Sequence, residues 1–245
     1  MAKDKNMETL KQWLKESKHT VFLGGAGVST ASGIPDFRSA YGLYREKQQG
    51  ISYEEMLSHR YFVQHAEEFY DFMRRVMLYP DAKPNPAHYA LAKLEREGKL
   101  DAVITQNIDG LHQMAGSKNV IELHGNENRY FCLSCGKTYD MSIVLDGTGV
   151  PKCTCGGTVR PDVVLYGEQL DQNNLVRAVE YVEQADLLLV GGTSLVVYPA
   201  AGLVNYLPRG AKLVLLNRDE TPYDDHADLV FREDLSEVLR EAAEL

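Results

Sequence analysis

No stretch of this 245-residue chain is long and apolar enough to cross a membrane, and the opening Met1-Ala-Lys-Asp-Lys-Asn6 is charged where a secretory signal would carry an apolar core. A cytoplasmic protein is expected. Positive charge is also in short supply: 26 Lys and Arg against 35 Asp and Glu leave a formal net charge of −9, which disfavours a surface that tracks nucleic-acid phosphates. Cysteine is scarce, and all four copies fall within residues 132–155. Without a secretory signal, that clustering points to a metal rather than to disulfides. There is no internal repeat and no long low-complexity tract. What is left, with 44% apolar and 25% charged residues, is the composition of a soluble globular chain able to bury a substantial core.

Short apolar runs at 20–23, 102–105, 163–166, 187–190 and 213–216 are separated by helical patterns, the rhythm of a parallel α/β sheet. Helices are predicted over 7–17, 86–97, 171–184, 198–206 and 235–243, near caps or breakers such as Asp171, Gly98 and Pro208. Four strand ends run into polar or glycine-rich loops: Gly24-Gly-Ala-Gly, Gln106-Asn-Ile-Asp, Gly191-Gly-Thr-Ser and Asn217-Arg. Ligands of open α/β sheets bind at the carboxyl ends of strands, so these loops are expected to share one crevice. Two segments break the rhythm. Residues 39–82 are rich in aromatic and charged residues at helical spacing, and residues 128–160 hold the cysteines. They read as two insertions that build a smaller module facing the sheet across a cleft.

The densest signal is Gly25-Ala-Gly-Val-Ser-Thr-Ala-Ser-Gly-Ile-Pro-Asp-Phe-Arg38, which follows the first apolar run directly. Closely spaced glycines after a strand let backbone N–H groups approach a diphosphate, because a Cβ at Gly25 or Gly27 would block it. The dinucleotide fingerprint is incomplete, since Thr30 stands where its third glycine would be. Cys132-Leu-Ser-Cys135 and Cys153-Thr-Cys155 resemble the two knuckles of a zinc ribbon, the second tighter than the usual Cys-x-x-Cys. Four thiolates would leave no open coordination position, so the ion is expected to be structural. Just past the apolar run, Gln106, Asn107 and Asp109 of Thr105-Gln-Asn-Ile-Asp109 offer three polar side chains at a strand end, suited either to a ligand or to a polar turn. His124, between an apolar segment and Gly125, is a candidate general base, since an unperturbed imidazole titrates near 6.5.

Taken together, the 14-residue opener, Thr105-Gln-Asn-Ile-Asp109, His124-Gly125, the cysteine ribbon, Arg160-Pro-Asp-Val-Val-Leu-Tyr-Gly-Glu168 and Gly192-Thr-Ser-Leu-Val-Val-Tyr-Pro199 resemble, in order and over nearly the whole chain, the sirtuins, NAD-dependent protein deacylases. The resemblance implies one catalytic domain over 1–245. It would consist of a Rossmann-like parallel-sheet part (1–38, 83–127 and 161–245), a helical insertion (39–82) and a zinc-ribbon insertion (128–160). It places Ala26, Gly27 and Thr30 at the diphosphate and ribose of NAD and Phe37 over the reacting ribose carbon, and has Arg38 bind or order the mobile cofactor loop. Gln106 would contact ribose, Asn107 would position water or ribose hydroxyls, and Ile108 and Asp109 would hold nicotinamide. Thr193, Ser194, Asn217, Arg218 and Leu235 match positions of the adenosine half. Val163, Val164, Leu165, Tyr166 and Gly167 match the segment on which an extended acetyl-lysine peptide would pair as a strand. Cys132, Cys135, Cys153 and Cys155 would hold one Zn²⁺.

The chemistry so implied consumes NAD as an electrophile. The acyl oxygen attacks the ribose carbon as nicotinamide leaves, His124 then takes a proton from the ribose hydroxyls, and water completes release of lysine and O-acyl-ADP-ribose. Sirtuins that prefer acidic acyl groups carry Tyr-x-x-Arg on the helical insertion. Here the text is Tyr70-Asp-Phe-Met73, with arginine one and two residues late at Arg74 and Arg75, so deacetylation is expected over desuccinylation. Other lysine deacylation, mono-ADP-ribosyl transfer through the same pocket, a non-catalytic zinc-ribbon binding module and a conventional NAD dehydrogenase are the competing readings.

Overall fold

The computed structural model describes residues 2–37, 47–48 and 50–245. In chain order the strands are β1 (Thr20–Gly24), β2 (Lys47–Gln48), β3 (Ile51–Ser52), β4 (Ala102–Thr105), β5 (Val120–Glu122), β6 (Gly125–Cys132), β7 (Thr138–Asp140), β8 (Val159–Val163), β9 (Leu187–Gly191), β10 (Lys212–Leu216) and β11 (Leu229–Phe231). The α-helices are α1 (Ala2–Glu16), α2 (Tyr53–Met56), α3 (His59–Gln64), α4 (Ala66–Phe72), α5 (Pro86–Arg96), α6 (Leu111–Ala115), α7 (Ser142–Leu145), α8 (Gln172–Gln184) and α9 (Leu235–Ala242).

Six strands form one parallel sheet in the order β11-β10-β9-β1-β4-β5. Alternation along the strands divides their side chains between two cores. Phe22, Val103, Leu187, Leu189, Val214 and Leu216 face a core closed by α1, α5 and α9. Val21, Leu23, Ile104, Leu188, Val190, Leu213 and Leu215 face the other, closed by α8 and the 3-10 segment Ala200–Tyr206. Helical periodicity supplies the covering faces: Met7, Leu10 and Leu14 on α1, and Ala87, Ala90, Leu91 and Leu94 on α5, are buried. Asn85 caps α5 and Asp171 caps α8, its carboxylate accepting from the Asn174 amide at 2.8 Å.

The small module has its own core, in which Phe62, Phe69, Tyr70 and Phe72 of the helical insertion pack with Tyr130, Val144 and Val159 around the antiparallel sheet β7-β6-β8. That sheet runs from Gly125 to Val163, three residues beyond the 128–160 span at each end. The residues following Phe72 form a π-helical turn, Met73–Met77.

Three expectations are corrected. The apolar run 163–166 is not a strand of the parallel sheet: Val163 ends β8 in the small sheet, and Tyr166 bridges to Ser58. Its backbone is claimed locally, the Tyr166 amide by the Leu57 carbonyl (3.0 Å) and the Leu165 amide by the Glu168 carboxylate (2.9 Å). The predicted helix 198–206 is a 3-10 segment that begins only after Pro199. The first helix begins at Ala2 rather than at residue 7.

Candidate active site

The chain passes from β1 to β4 and β5 on one side of the sheet and returns to β9 on the other, so the strand order reverses between β1 and β9. A crevice opens at such a point. Here it is a cavity of about 960 Å³, lined by residues from all four loops at the strand ends and by the small module. Across the reversal, the Gly25 amide donates to the Gly191 carbonyl (3.1 Å) and the Gly27 amide to the Gly192 carbonyl (2.8 Å). Beyond them the backbone makes 3-10 turns at Ala26–Val28 and Thr30–Ser32, and the Thr30 hydroxyl donates to the Gly27 carbonyl at 3.0 Å.

Ala26, Gly27, Thr30, Phe37, Gln106, Asn107, Ile108, Asp109, Thr193, Ser194, Asn217, Arg218 and Leu235 all line this cavity. Arg38 lies outside the described residues. Gln106 and Thr193, 87 residues apart, are joined by a 3.0 Å hydrogen bond from the amide to the hydroxyl. Arg218 pairs with Asp234, the residue that caps α9 just before Leu235. At the other end of the cavity, Ser29, which no sequence motif singles out, is a connecting residue: its hydroxyl donates to Asp109 (2.6 Å) and accepts from the Asn107 amide (3.0 Å). The second Asp109 oxygen accepts from the Leu111 amide at 2.9 Å. Burial raises the Asp109 pKa and prevails over these hydrogen bonds, which lower it. Ser29 sits inside the opening motif between Gly27 and Thr30, so a hydroxyl facing the same loop was the available signal.

His124 follows β5, and its Nδ1 lies 2.9 Å from the Gln106 carbonyl. A carbonyl only accepts, so Nδ1 carries the proton and the basic lone pair is on Nε2. The next residue, Gly125, has φ +80°, and a Cβ there would sit 2.0 Å from the Asp162 carbonyl oxygen, so only glycine lets β6 and β8 meet beside the imidazole. The His124 carbonyl accepts from the Val164 amide at 2.9 Å, which couples the histidine to the 163–167 segment. Val163, Val164, Leu165, Tyr166 and Gly167 line the cavity. Arg160 and Glu168 brace them: the guanidinium donates to both Glu168 oxygens (2.7 and 3.0 Å) and to the Val163 carbonyl (2.8 Å). Among the described residues, the Val164 carbonyl and the Gly167 amide have no backbone partner, which leaves an edge that an extended chain can pair with.

The four thiols lie within 4.8 Å of one another in the small module. Cys132 and Cys155 Sγ are 3.5 Å apart and Cys135 and Cys153 Sγ 3.6 Å, far beyond a disulfide bond of about 2.0 Å but close to the ~3.8 Å edge of a tetrahedron with Zn–S bonds of about 2.3 Å. Backbone amides approach the sulfurs as in a thiolate knuckle, Ser134 N to Cys132 (3.4 Å) and Cys155 N to Cys153 (3.5 Å), and the Tyr139 hydroxyl donates to Cys153 at 3.0 Å. The donor set therefore fits one structural Zn²⁺, with every thiol used.

The Sir2 family model matches residues 25–199. A curated NAD-dependent protein deacetylase of Clostridium perfringens is 55% identical over 238 residues, covering 96% of this chain and 98% of that protein. One from Clostridium tetani is 56% identical over 95% of each. Among solved structures, a Sir2 protein with a p53 peptide and NAD+ superimposes with a TM-score of 0.87 at 46% identity, covering 97% of both chains. Another, with the inhibitor EX-527, 2'-O-acetyl-ADP-ribose and a deacetylated p53 peptide, gives 0.85 at 45% identity over the same shares. With more than half its length matched by the model and relatives above 50% identity across it, the chain belongs to the Sir2 family.

Proposed function

We infer that the protein is an NAD-dependent protein-lysine deacetylase, which uses NAD as a co-substrate and yields nicotinamide, free lysine and 2'-O-acetyl-ADP-ribose. The observation that carries the reading is a single cavity in which the β1 and β9 glycine loops, the Asn107–Asp109 corner, His124 and the 163–167 edge all meet.

Each group has a task suited to its chemistry. Ala26, Gly27 and Thr30 face the diphosphate and ribose, and Thr193, Ser194, Asn217, Arg218 and Leu235 the adenosine half. Ile108 and Asp109 hold the nicotinamide, with Ser29 fixing the carboxylate and Asn107 in one arrangement. Gln106 reaches the ribose while tied to Thr193, and Phe37 shields the reacting ribose carbon from water. His124 Nε2 accepts the ribose-hydroxyl proton, held in the required tautomer by the Gln106 carbonyl. The substrate, an acetyl-lysine protein or peptide, pairs its backbone with Val164 and Gly167, so recognition reads main chain more than sequence. The task assigned to Arg38 is to bind or order the cofactor loop. A zinc ion held by Cys132, Cys135, Cys153 and Cys155 would supply only cross-linking of the small module.

The NAD-binding part comprises residues 1–38, 83–127 and 161–245, with the insertions at 39–82 and 128–160. A cytoplasmic location is part of this reading, because four thiols reserved for a metal need a reducing compartment. Among the described residues no helix is long and apolar enough to cross a membrane.

The test is to incubate purified protein with an acetylated peptide and NAD and follow products by mass spectrometry. Equal amounts of nicotinamide, deacetylated peptide and O-acetyl-ADP-ribose are expected, and none without NAD. Deacetylation that proceeds without NAD, or NAD cleavage without deacetylation, refutes the reading.

A further inference from the structure

Glu127 on β6, three residues after His124, is only 4% exposed, yet it lines the cavity. Its amide donates to the Ile108 carbonyl at 2.8 Å, which holds the residue against the Ile108-Asp109 corner. Among the described residues its carboxyl makes no hydrogen bond and no ion pair. Its electrostatic neighbours are the Asp109 carboxyl and the hydroxyls of Tyr79 and Tyr130. Burying an acid without a partner is costly, and the few such groups in a folded protein call for a reason. A ligand that supplies the missing hydrogen bond is one.

We propose that Glu127 is a second acid of the nicotinamide end of the cavity, which acts with Asp109 on the nicotinamide carboxamide and sets how tightly free nicotinamide is held. The proposal rests on the deacetylase reading. It favours nicotinamide over the acyl chain because Glu127 is bonded to Ile108 and lies beside Asp109, the two residues assigned to that group. The chemistry matches: a carboxamide carries both an acceptor oxygen and N–H donors, and two neighbouring acids can meet both only if one is protonated. Burial first, and the Asp109 carboxylate second, push Glu127 up to about 8, so near neutral pH it can donate as well as accept. A wholly apolar side chain at this position would keep the shape of the wall and lose the bond.

Wild type, Glu127→Gln and Glu127→Leu are compared for NAD-dependent deacetylation of an acetylated peptide, for inhibition by added nicotinamide, and for exchange of isotopically labelled nicotinamide into NAD in the presence of that peptide. Zinc content and thermal melting establish folding. The leucine variant is expected to need about five- to tenfold more nicotinamide for half-inhibition, the loss of one buried hydrogen bond, while the glutamine variant, a neutral donor and acceptor, stays within about twofold of wild type. Should the leucine variant not fold, Glu127→Met is read in the same way. An apolar variant with wild-type nicotinamide inhibition, or glutamine and leucine variants shifted equally, overturns the role of Glu127 while wild-type deacetylation stands. Absence of NAD-dependent deacetylation in the wild type overturns the deacetylase reading and this proposal with it.

Discussion

Replacing Glu168 by Gln tests how the proposed peptide-binding edge is held. The Glu168 carboxylate accepts two bonds from Arg160, one from the Leu165 amide (2.9 Å) and one from His59 Nδ1 (2.7 Å), with its side chain 19% exposed and that of Arg160 12%. Burial alone would raise its pKa, but the Arg160 guanidinium, the Leu165 amide and His59 outweigh burial and hold it at about 2, against an ordinary 4.5. A depression of that size is equivalent to about 3 kcal/mol of folding stability. Because the folded-state value is the lower one, the contribution is full above about pH 5 and is lost as pH falls toward 2. Glu168→Gln is therefore expected to lose about 2–3 kcal/mol at pH 7, seen as a fall in Tm of roughly 5–10 °C for a chain of this size. Urea denaturation of both proteins between pH 7 and 3 should show the gap closing with acid. Since Arg160 also holds the Val163 carbonyl, KM for an acetylated peptide should rise more than kcat falls. A gap below about 1 kcal/mol at pH 7, or one that does not narrow between pH 5 and 3, would refute the account of Glu168 as the anchor of this edge.

The remaining predictions concern the chemistry and the metal. His124→Ala should lower kcat by about 100-fold or more while calorimetry still detects NAD binding, and turnover within tenfold of wild type would remove His124 as the base. Cys153→Ser, or a strong chelator, should release about one zinc per chain and melt the small module ahead of the sheet domain, whereas a metal-free protein that is fully active under reducing conditions would contradict a structural ion. Acetyl should be removed at least about tenfold faster than succinyl from matched peptides, because Tyr70 bonds the Val159 carbonyl, Met73 is buried, and Arg74 is spent on the Val144 (2.8 Å) and Gly149 (2.6 Å) carbonyls. A faster succinyl reaction would show that a cation reaches the acyl group by another route.

The strands legible in the sequence are those buried along all or nearly all of their length: β1, β4, β9 and β10 are mostly apolar because helices cover both faces. The run 163–166 looks the same on paper, yet only Leu165 of the four is fully buried, and a short apolar run cannot state which sheet it joins. β5 and β11, three residues each, are too short to carry a period. In the cavity, residue types were readable but pairings were not. Ser29 with Asp109 and Gln106 with Thr193 are separated by 80 and 87 residues, and only the folded sheet brings them together. Glu127 is not legible for the opposite reason: an acid in a mixed polar segment has the sequence signature of an ordinary surface residue, and only the fold buries it.

The incomplete glycine fingerprint acquires a physical reason in the fold. From the sequence, Gly25 and Gly27 are expected to be bare so that a diphosphate can approach. In the structure a Cβ at Gly25 would already lie 2.8 Å from the Gly192 carbonyl oxygen, and one at Gly27 2.7 Å from Gly192 Cα, before any ligand enters. The two glycines are required first by the contact between the β1 and β9 loops, whose amide-to-carbonyl bonds close the floor of the crevice. In the dinucleotide fingerprint the third glycine serves the packing of a helix that follows directly on the strand. Here β1 is followed by two 3-10 turns instead, so there is no such helix to seat. Thr30 can stand at that position, and its hydroxyl ties the second turn back to the Gly27 carbonyl. The loop that results continues past Gly33 to Phe37, which places an aromatic ring at the cavity where a hydride-transferring fold would have continued its helix away from the site.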